Sequence, residues 1–458
     1  MTTSLDSTFA STVSRHPHRP AILQRGSPGL TFARLDQLVG EVAGAIATLD
    51  PGPVALAIQS RARLVIVVLA AWRQGRAVVL LDPTTPPNEL QRWAPRLGAR
   101  WLIHEPEGDQ PAPEASPRAR ALDPTLELPA EATLVKVTSG STGEPVGAVL
   151  DAGALLAGIN QIARGMGITG DDRIVVPLPL SHSYGFDSGI LSLLALGTPL
   201  ILESSLYLSS LVSGLNETRG TVLLLVPPLV RALAATAWPN HHQVRLVVSA
   251  GGPLEPAFAT AFAQAAGVPV HQFYGSTETG GICFEHDPLD PDAGGTVGSP
   301  LPGVLVGLDP DARVTVSSSA NATALLTGGA VVPIKGPIAT GDTAEWTKAG
   351  RLRLTGRVAG LLNVAGRRIQ AAGLEHEIQR LPGVREAAVI GVPESVRGDR
   401  VVVFVVTDGR RLEANTLPRG VRPREVRYVE ALPYTERGKL DRRRLLELVD
   451  ATSPQERE

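Results

Sequence analysis

Short runs of β-branched and leucine residues alternate along the chain with longer alanine- and leucine-rich segments. Residues 54–58, 77–81, 174–177, 221–226 and 244–249 are apolar blocks of strand length. Residues 64–73, 152–166, 229–236 and 256–266 have the composition and length of packed helices. Strand, helix, strand in succession predicts α/β layers with mostly parallel sheets. The longest apolar stretches, residues 190–202 and 222–230, fall short of the roughly 18 residues a membrane span requires, so they are predicted as core and no span is expected. Residues 105–131, rich in Pro, Ala and acidic side chains, are expected to be a surface connection.

The texture changes near Gly356. A Gly- and Arg-rich segment at 356–368 is followed by one helix-like stretch and then strand-like blocks at 387–392 and 401–406. The expected organisation is a large N-terminal domain, residues 1–356, of α/β layers and a small mobile α+β domain, residues 357–458. The tail, a glycine-containing loop at 435–438 and a basic helix at 441–448, reads by itself as a solvated charged terminus.

Composition narrows the function classes. Apolar residues make up 43% and charged residues 19% of 458, which is a packed globular chain and not a disordered one. The 43 basic and 45 acidic residues nearly cancel, so the overall charge gives no reason to expect nucleic acid or an anionic membrane as partner. Cys283 stands alone, which excludes an intramolecular disulfide and a cysteine metal cluster and fits a reducing compartment. With no basic segment leading an apolar one in residues 1–20, the cytoplasm is the expected location. His241 and His242 are adjacent, a spacing unlike that of a helical metal pair, and read as surface.

The most informative segment is Thr138, Ser139, Gly140, Ser141, Thr142 and Gly143, directly after a strand-like block at 133–137. Small residues let backbone N–H groups and hydroxyls approach a phosphate. Without a Gly-Lys-Ser/Thr ending it is not a Walker loop, and by itself it reads equally as a polar turn.

The segment resembles the phosphate loop of the adenylate-forming superfamily, which includes acyl-CoA synthetases, peptide-synthetase adenylation domains and luciferases. Further motifs follow in the family's order. Pro179 to Gly185 (Pro-Leu-Ser-His-Ser-Tyr-Gly) resembles the acid-pocket motif, and Ser249 to Leu254, with Gly251, Gly252 and Pro253, resembles the adenine loop. Tyr274, Gly275, Ser276, Thr277 and Glu278 are similar to the segment that meets phosphate and magnesium. Then come Gly341-Asp342, Gly356-Arg357, Gly366-Arg367-Arg368 and the Gly438-Lys439 turn. The resemblance runs from Thr31 to Leu445.

The resemblance implies ATP-dependent activation of a carboxylic acid to an acyl-adenylate, with transfer to the thiol of CoA or of a carrier-protein phosphopantetheine. It implies Mg²⁺ on Glu278, phosphate contacts from Thr277 and the 138–143 loop, ribose held by Asp342 with Arg357 beside it, Lys439 bridging the carboxylate and the α-phosphate, and His182 closing the acid pocket. Gly366 would flank the thiol channel. Pocket candidates are His182, Ser183, Tyr184, Phe186, Tyr274, Gly280 and Gly281, the two glycines leaving room for a flat ring. Amino-acid-activating relatives place Asp where this chain has Ser183, which favours an aryl or acyl acid, since a buried ammonium needs an anion. Arg367, Arg368, Arg437 and Arg442 to Arg444 suit CoA phosphates or an acidic carrier protein, or are solvated surface. Val146, where relatives carry a cation, and Ala359, where they carry a polar hinge, depart from the pattern.

Overall fold

The computed structural model describes residues 4–24, 29–105, 117–139, 145–203, 208–239, 241–289, 295–357, 361–364, 367–394, 398–409, 412, 425–434 and 440–450. It divides into two compact units, Met1–Val306 with Val316–Ile338, and Gly307–Thr315 with Ala339–Glu458. The division falls at Ile338 and not at 356/357 as expected, which places Asp342 and Arg357 in the second unit.

Two sheets build the first unit. One orders its strands Ser299–Pro300, Gly280–Phe284, Val270–Ser276, Leu246–Ala250, Val222–Leu225, Ile174–Val175, Leu200–Ile201, Pro20–Leu23 and Leu30–Thr31. The other runs Ala330–Pro333, Ala324–Thr327, Pro145–Leu150, Leu134–Ser139, Val78–Leu80, Val54–Ala57, Trp101–His104 and Ala119–Ala121. The expected parallel pairing holds in the middle of each sheet, as in Val247 opposite Val270 and Val54 opposite Val78. The edges are antiparallel, as in Phe273 opposite Phe284 and Leu134 opposite Leu150. Ala119–Ala121 pairs with Trp101–His104, so the expected 105–131 connection contains a strand.

Inner strands such as Val222–Leu225 and Leu246–Ala250 are buried at every position, because helices cover both faces of a parallel sheet. Leu233, Phe262 and Leu215, from three helices, pack on Leu223, Leu225 and Val247. The helix Ala152–Met166 shows why its boundaries were legible. Asp151 accepts from the Ala154 N–H at 2.7 Å, and Gly167 takes φ +64° where the chain turns out.

In the second unit a strand pair, Ile338–Trp346 with Leu352–Arg357, belongs to a four-stranded sheet that the sequence pattern did not suggest. A separate sheet centres on Gly398–Thr407, whose alternation fills two cores. Val401, Val403 and Val405 pack with Leu374 and Ile378 of the helix Ala371–Gln379, while Val402 and Phe404 pack with Leu445 and Val449. Those last two residues, one turn apart on the helix Arg442–Asp450, are fully buried, so the basic tail docks as an amphipathic helix and is not a solvated terminus. No helix among the described residues is long and apolar enough to cross a membrane.

Candidate active site

In open α/β sheets the carboxyl ends of parallel strands are where ligands bind, and the candidate residues of the first unit collect there. Thr138 lies at the end of Leu134–Ser139, paired with Val146 of Pro145–Leu150, so the phosphate-loop residues connect a β-hairpin. Thr138 Oγ1 donates to the Val146 carbonyl at 3.5 Å. The backbone of Ser139 is in the strand, while Gly140, Ser141, Thr142 and Gly143 lie outside the described residues. Gly251, Gly252 and Pro253 follow Leu246–Ala250 directly and are exposed, with Gly251 at φ +85°.

Thr277, Glu278 and Thr279 form the turn between Val270–Ser276 and Gly280–Phe284. Ser276 pairs with Gly280, which takes φ +69°, the left-handed conformation that a three-residue hairpin loop needs after its turn. The Ser276 and Thr279 hydroxyls lie 3.0 Å apart, and the Glu278 carbonyl accepts from the Ala322 N–H at 2.7 Å. Gly275 is required by close approach, since a Cβ there would sit 2.6 Å from the Gly280 carbonyl oxygen.

One helical segment touches each of these parts. The residues Ser183–Gly185, the π-helical turn Phe186–Ile190 and the helix Leu191–Leu196 run on without a break. Ser183 Oγ donates to Thr277 Oγ1 at 3.2 Å. The Tyr184 hydroxyl donates to the Val248 carbonyl at 3.0 Å on the strand that leads to Gly251, and its ring lies 5.7 Å from that of Phe273. Burial pushes the Tyr184 phenol well above its usual pKa, so it is a neutral hydrogen-bond donor. Asp187 takes the Lys136 ammonium at 2.7 Å on both carboxylate oxygens, tying the segment to the strand of the phosphate hairpin. Burial raises the Asp187 pKa against the pull of Lys136. At the start of the segment His182 Nε2 stands 3.7 Å from Asp82 Oδ2, and Asp82 also accepts from the Thr84 N–H and hydroxyl.

Lys136, Asp187 and Asp82 were not anticipated. A signal existed for Lys136, a lone charge in an otherwise apolar strand, and for Asp187, two residues past the acid-pocket motif. Two pocket assignments change. Phe186 is fully buried, edge-on to Trp72 at 6.0 Å, and packs in the core. The space beside Gly281 is filled, with Leu301 at 2.7 Å and the Phe273 ring at 2.9 Å from where its Cβ would lie, so no room for a flat ring is left there. Tyr274 is buried in the strand opposite Cys283. His241 is exposed as expected, but His242 is half-buried, its Nε2 2.8 Å from the Ala266 carbonyl and its ring against Trp238.

In the second unit Asp342 and Arg357 face each other across paired strands, with Arg357 Nε donating to Asp342 Oδ1 at 2.7 Å. Asp342 is nearly buried and the arginine side chain is 65% exposed. Lys439 and Gly366 lie outside the described residues, as do Ala359 and Arg437, while the flanks of the Lys439 turn, Tyr434 and Leu440, pair with each other. Arg442 is committed to Glu375 at 2.8 Å and to the Val389 carbonyl, so its guanidinium serves the fold of the unit.

Glu278 is part-exposed at the tip of its turn, and its carboxylate has no hydrogen-bond or ion-pair partner among the described residues. A single uncommitted carboxylate beside hydroxyls fits Mg²⁺ carried by nucleotide phosphates, since that ion keeps several waters and takes one or two protein carboxylates. Among the described residues no group of three His, Cys, Asp or Glu is placed to hold a metal by itself.

Comparison with known families matches residues 9–321 to the AMP-binding enzyme model and residues 373–439 to the AMP-binding enzyme C-terminal domain. The chain belongs to the AMP-binding enzyme family. This is the adenylate-forming superfamily that the motifs resemble. Among its relatives, a feruloyl-CoA synthase of Amycolatopsis sp is 26% identical over 472 residues, covering 93% of this chain and 94% of the relative. Among solved structures, ATP-bound MatB from Rhodopseudomonas palustris superposes with TM-score 0.83 at 22% identity, covering 97% of this chain and 99% of that one. MenE from Bacillus subtilis, an O-succinylbenzoate CoA synthetase in complex with ATP and magnesium, gives TM-score 0.82 at 22% identity, with 96% and 99% covered. At such identities the structures establish the adenylate-forming fold.

Proposed function

We propose that this family member activates an aryl or acyl carboxylic acid with ATP and Mg²⁺, releasing pyrophosphate, and then transfers the acyl group to the thiol of CoA. The observation that carries the reading is the helical segment that begins at Ser183, which is bonded to the phosphate hairpin, to the strand of the adenine loop and to the Thr277–Glu278 turn. Those are the parts an acid and a nucleotide triphosphate must share.

In the first half-reaction a carboxylate oxygen attacks the α-phosphorus. An O–P bond forms, the bond to the bridging β-oxygen breaks, and pyrophosphate leaves. Two anions must meet, so the role of the site is to offset their repulsion. Thr138 with the loop that follows it and Thr277 donate to phosphoryl oxygens. Glu278 would hold Mg²⁺ together with the nucleotide phosphates, and the ion would supply charge neutralisation there. Asp342 accepts from the ribose hydroxyls, with Arg357 on the phosphate side. Lys439 brings a point charge to the reacting oxygens. His182, held near Asp82, closes the acid pocket behind Ser183 and Tyr184. In the second half-reaction the thiol sulfur attacks the acyl carbon and loses its proton, and AMP departs with the former carboxylate oxygen. Gly366 leaves the pantetheine arm its path.

Ser183 supports an aryl or acyl acid over an amino acid. Its hydroxyl is neutral and committed to Thr277, so it offers no anion to an α-ammonium group. Relatives named as CoA ligases of aromatic acids, such as the feruloyl-CoA synthase, support the same substrate class and the CoA acceptor. The test is ATP–pyrophosphate exchange over a panel of aryl, acyl and amino acids, followed by thioester detection with CoA and with phosphopantetheinylated carrier protein. Exchange with an aryl or acyl acid and a CoA thioester are expected. Exchange with amino acids alone, or thioester on carrier protein alone, overturns the corresponding half of the proposal.

A further inference from the structure

The Lys136–Asp187 pair takes no part in either proposed half-reaction. Lys136 lies two residues before Thr138, and Asp187 two residues after Gly185. The side chains are 3% and 10% exposed, and one ammonium is shared by both carboxylate oxygens at 2.7 Å. A buried pair of this kind stabilises a fold no better, and often less, than apolar residues of the same volume, because both ions must first be dehydrated. Stability alone therefore does not account for a charge in the middle of the strand Leu134–Ser139.

Two observations distinguish it from an ordinary core pair. It joins the two elements that, on the proposed reading, carry the two anionic reactants, the nucleotide phosphates and the acid. Asp187 also lies in a π-helical turn, where the Leu191 N–H reaches back to the Phe186 carbonyl. Such widened turns are rare and recur at functional sites. A bidentate contact is directional as well as attractive, so it sets how far apart strand and helix stand.

The geometry points to Lys136 and Asp187 as positioning residues that fix the spacing between the phosphate hairpin and the acid-binding helix, and so the alignment of carboxylate oxygen with α-phosphorus. The inference rests on the adenylation reading. Neither residue touches substrate. Each substrate keeps its own contacts when the spacing changes, so binding persists while the reacting atoms are out of line. A misplacement of about 1 Å is enough to lower the rate about 10²-fold.

The test compares wild type with the double variant K136M/D187L, which removes both charges and leaves neither buried alone. Melting temperature is measured together with kcat and KM for ATP and acid in pyrophosphate exchange. Wild-type exchange comes first, and its absence counts against the adenylation reading, not the pair. The expected result is preserved melting, KM values within about threefold and kcat lowered about 100-fold. A folded double variant with wild-type kcat, or one whose defect lies in KM, overturns the inference. Should the double variant not fold, K136R decides, since it keeps the charge and changes the reach. A kcat about tenfold lower at unchanged melting is expected, and wild-type kcat overturns it.

Discussion

Gly275→Ala is the sharpest perturbation the hairpin offers. The added methyl would lie 2.6 Å from the Gly280 carbonyl oxygen and 3.4 Å from the Gly280 carbonyl carbon and the Gly281 Cα. All three are backbone atoms, so no side chain can swing aside. Reaching even a 3.0 Å contact opens the strand pair by about 0.4 Å, an overpacking of the kind that costs about 1–3 kcal/mol. The turn beyond it carries Thr277, whose hydroxyl receives Ser183 at 3.2 Å. The same displacement stretches that contact to about 3.6 Å, past hydrogen-bond range. Since about 1 Å of misplacement lowers rates about 10²-fold, a shift of about 0.4 Å is expected to lower exchange kcat about sixfold. The assay pairs thermal melting with pyrophosphate exchange, and Gly44→Ala, with nothing within 4 Å of its Cβ, is the control. Gly275→Ala with wild-type melting and kcat would refute the reasoning.

Asp172 accepts from Arg245 at 2.8 and 2.6 Å and from the Thr221 hydroxyl at 2.8 Å. Burial pushes its carboxyl up, but these bonds outweigh burial and hold it below the usual range. Its contribution is therefore full above the unfolded-state pKa and lost as pH falls through the lower folded value. Asp172→Asn should lose about 2–3 kcal/mol near neutrality, with the gap to wild type closing on acidification in urea melts and exchange activity unchanged. Burial pushes the Cys283 thiol up to about 12. Iodoacetamide should leave it unmodified in the native protein and alkylate it in urea, as read by mass spectrometry. Lys439→Ala should lower exchange by about 10² to 10³, and an unchanged rate in the folded variant would remove the lysine from the mechanism.

Strong apolar runs made the inner strands readable, and a cap such as Asp151 made a helix boundary readable, because both signals are local. The short strands between Ser299 and Arg357 were missed, because Gly, Ser and charged residues dilute the alternation and pairing across the sheet decides them. Within the site, contiguous motifs were legible, and the structure brings Ser183 and Thr277 together from 94 residues apart. Contacts between distant segments were not. Lys136 with Asp187 and His182 with Asp82 are settled by tertiary packing, which no spacing rule encodes. Phe186 and Gly281 were misassigned for the same reason, since position in a motif says nothing about which neighbour already fills the space.

The central step is carboxylate attack at the α-phosphorus of ATP. Turnover of an accepted acid bearing ¹⁸O in its carboxylate, with CoA present, tests that bond directly. Mass spectrometry should find one ¹⁸O in the AMP and none in the pyrophosphate. Label absent from AMP, or found in a phosphate product beside ADP, would contradict it.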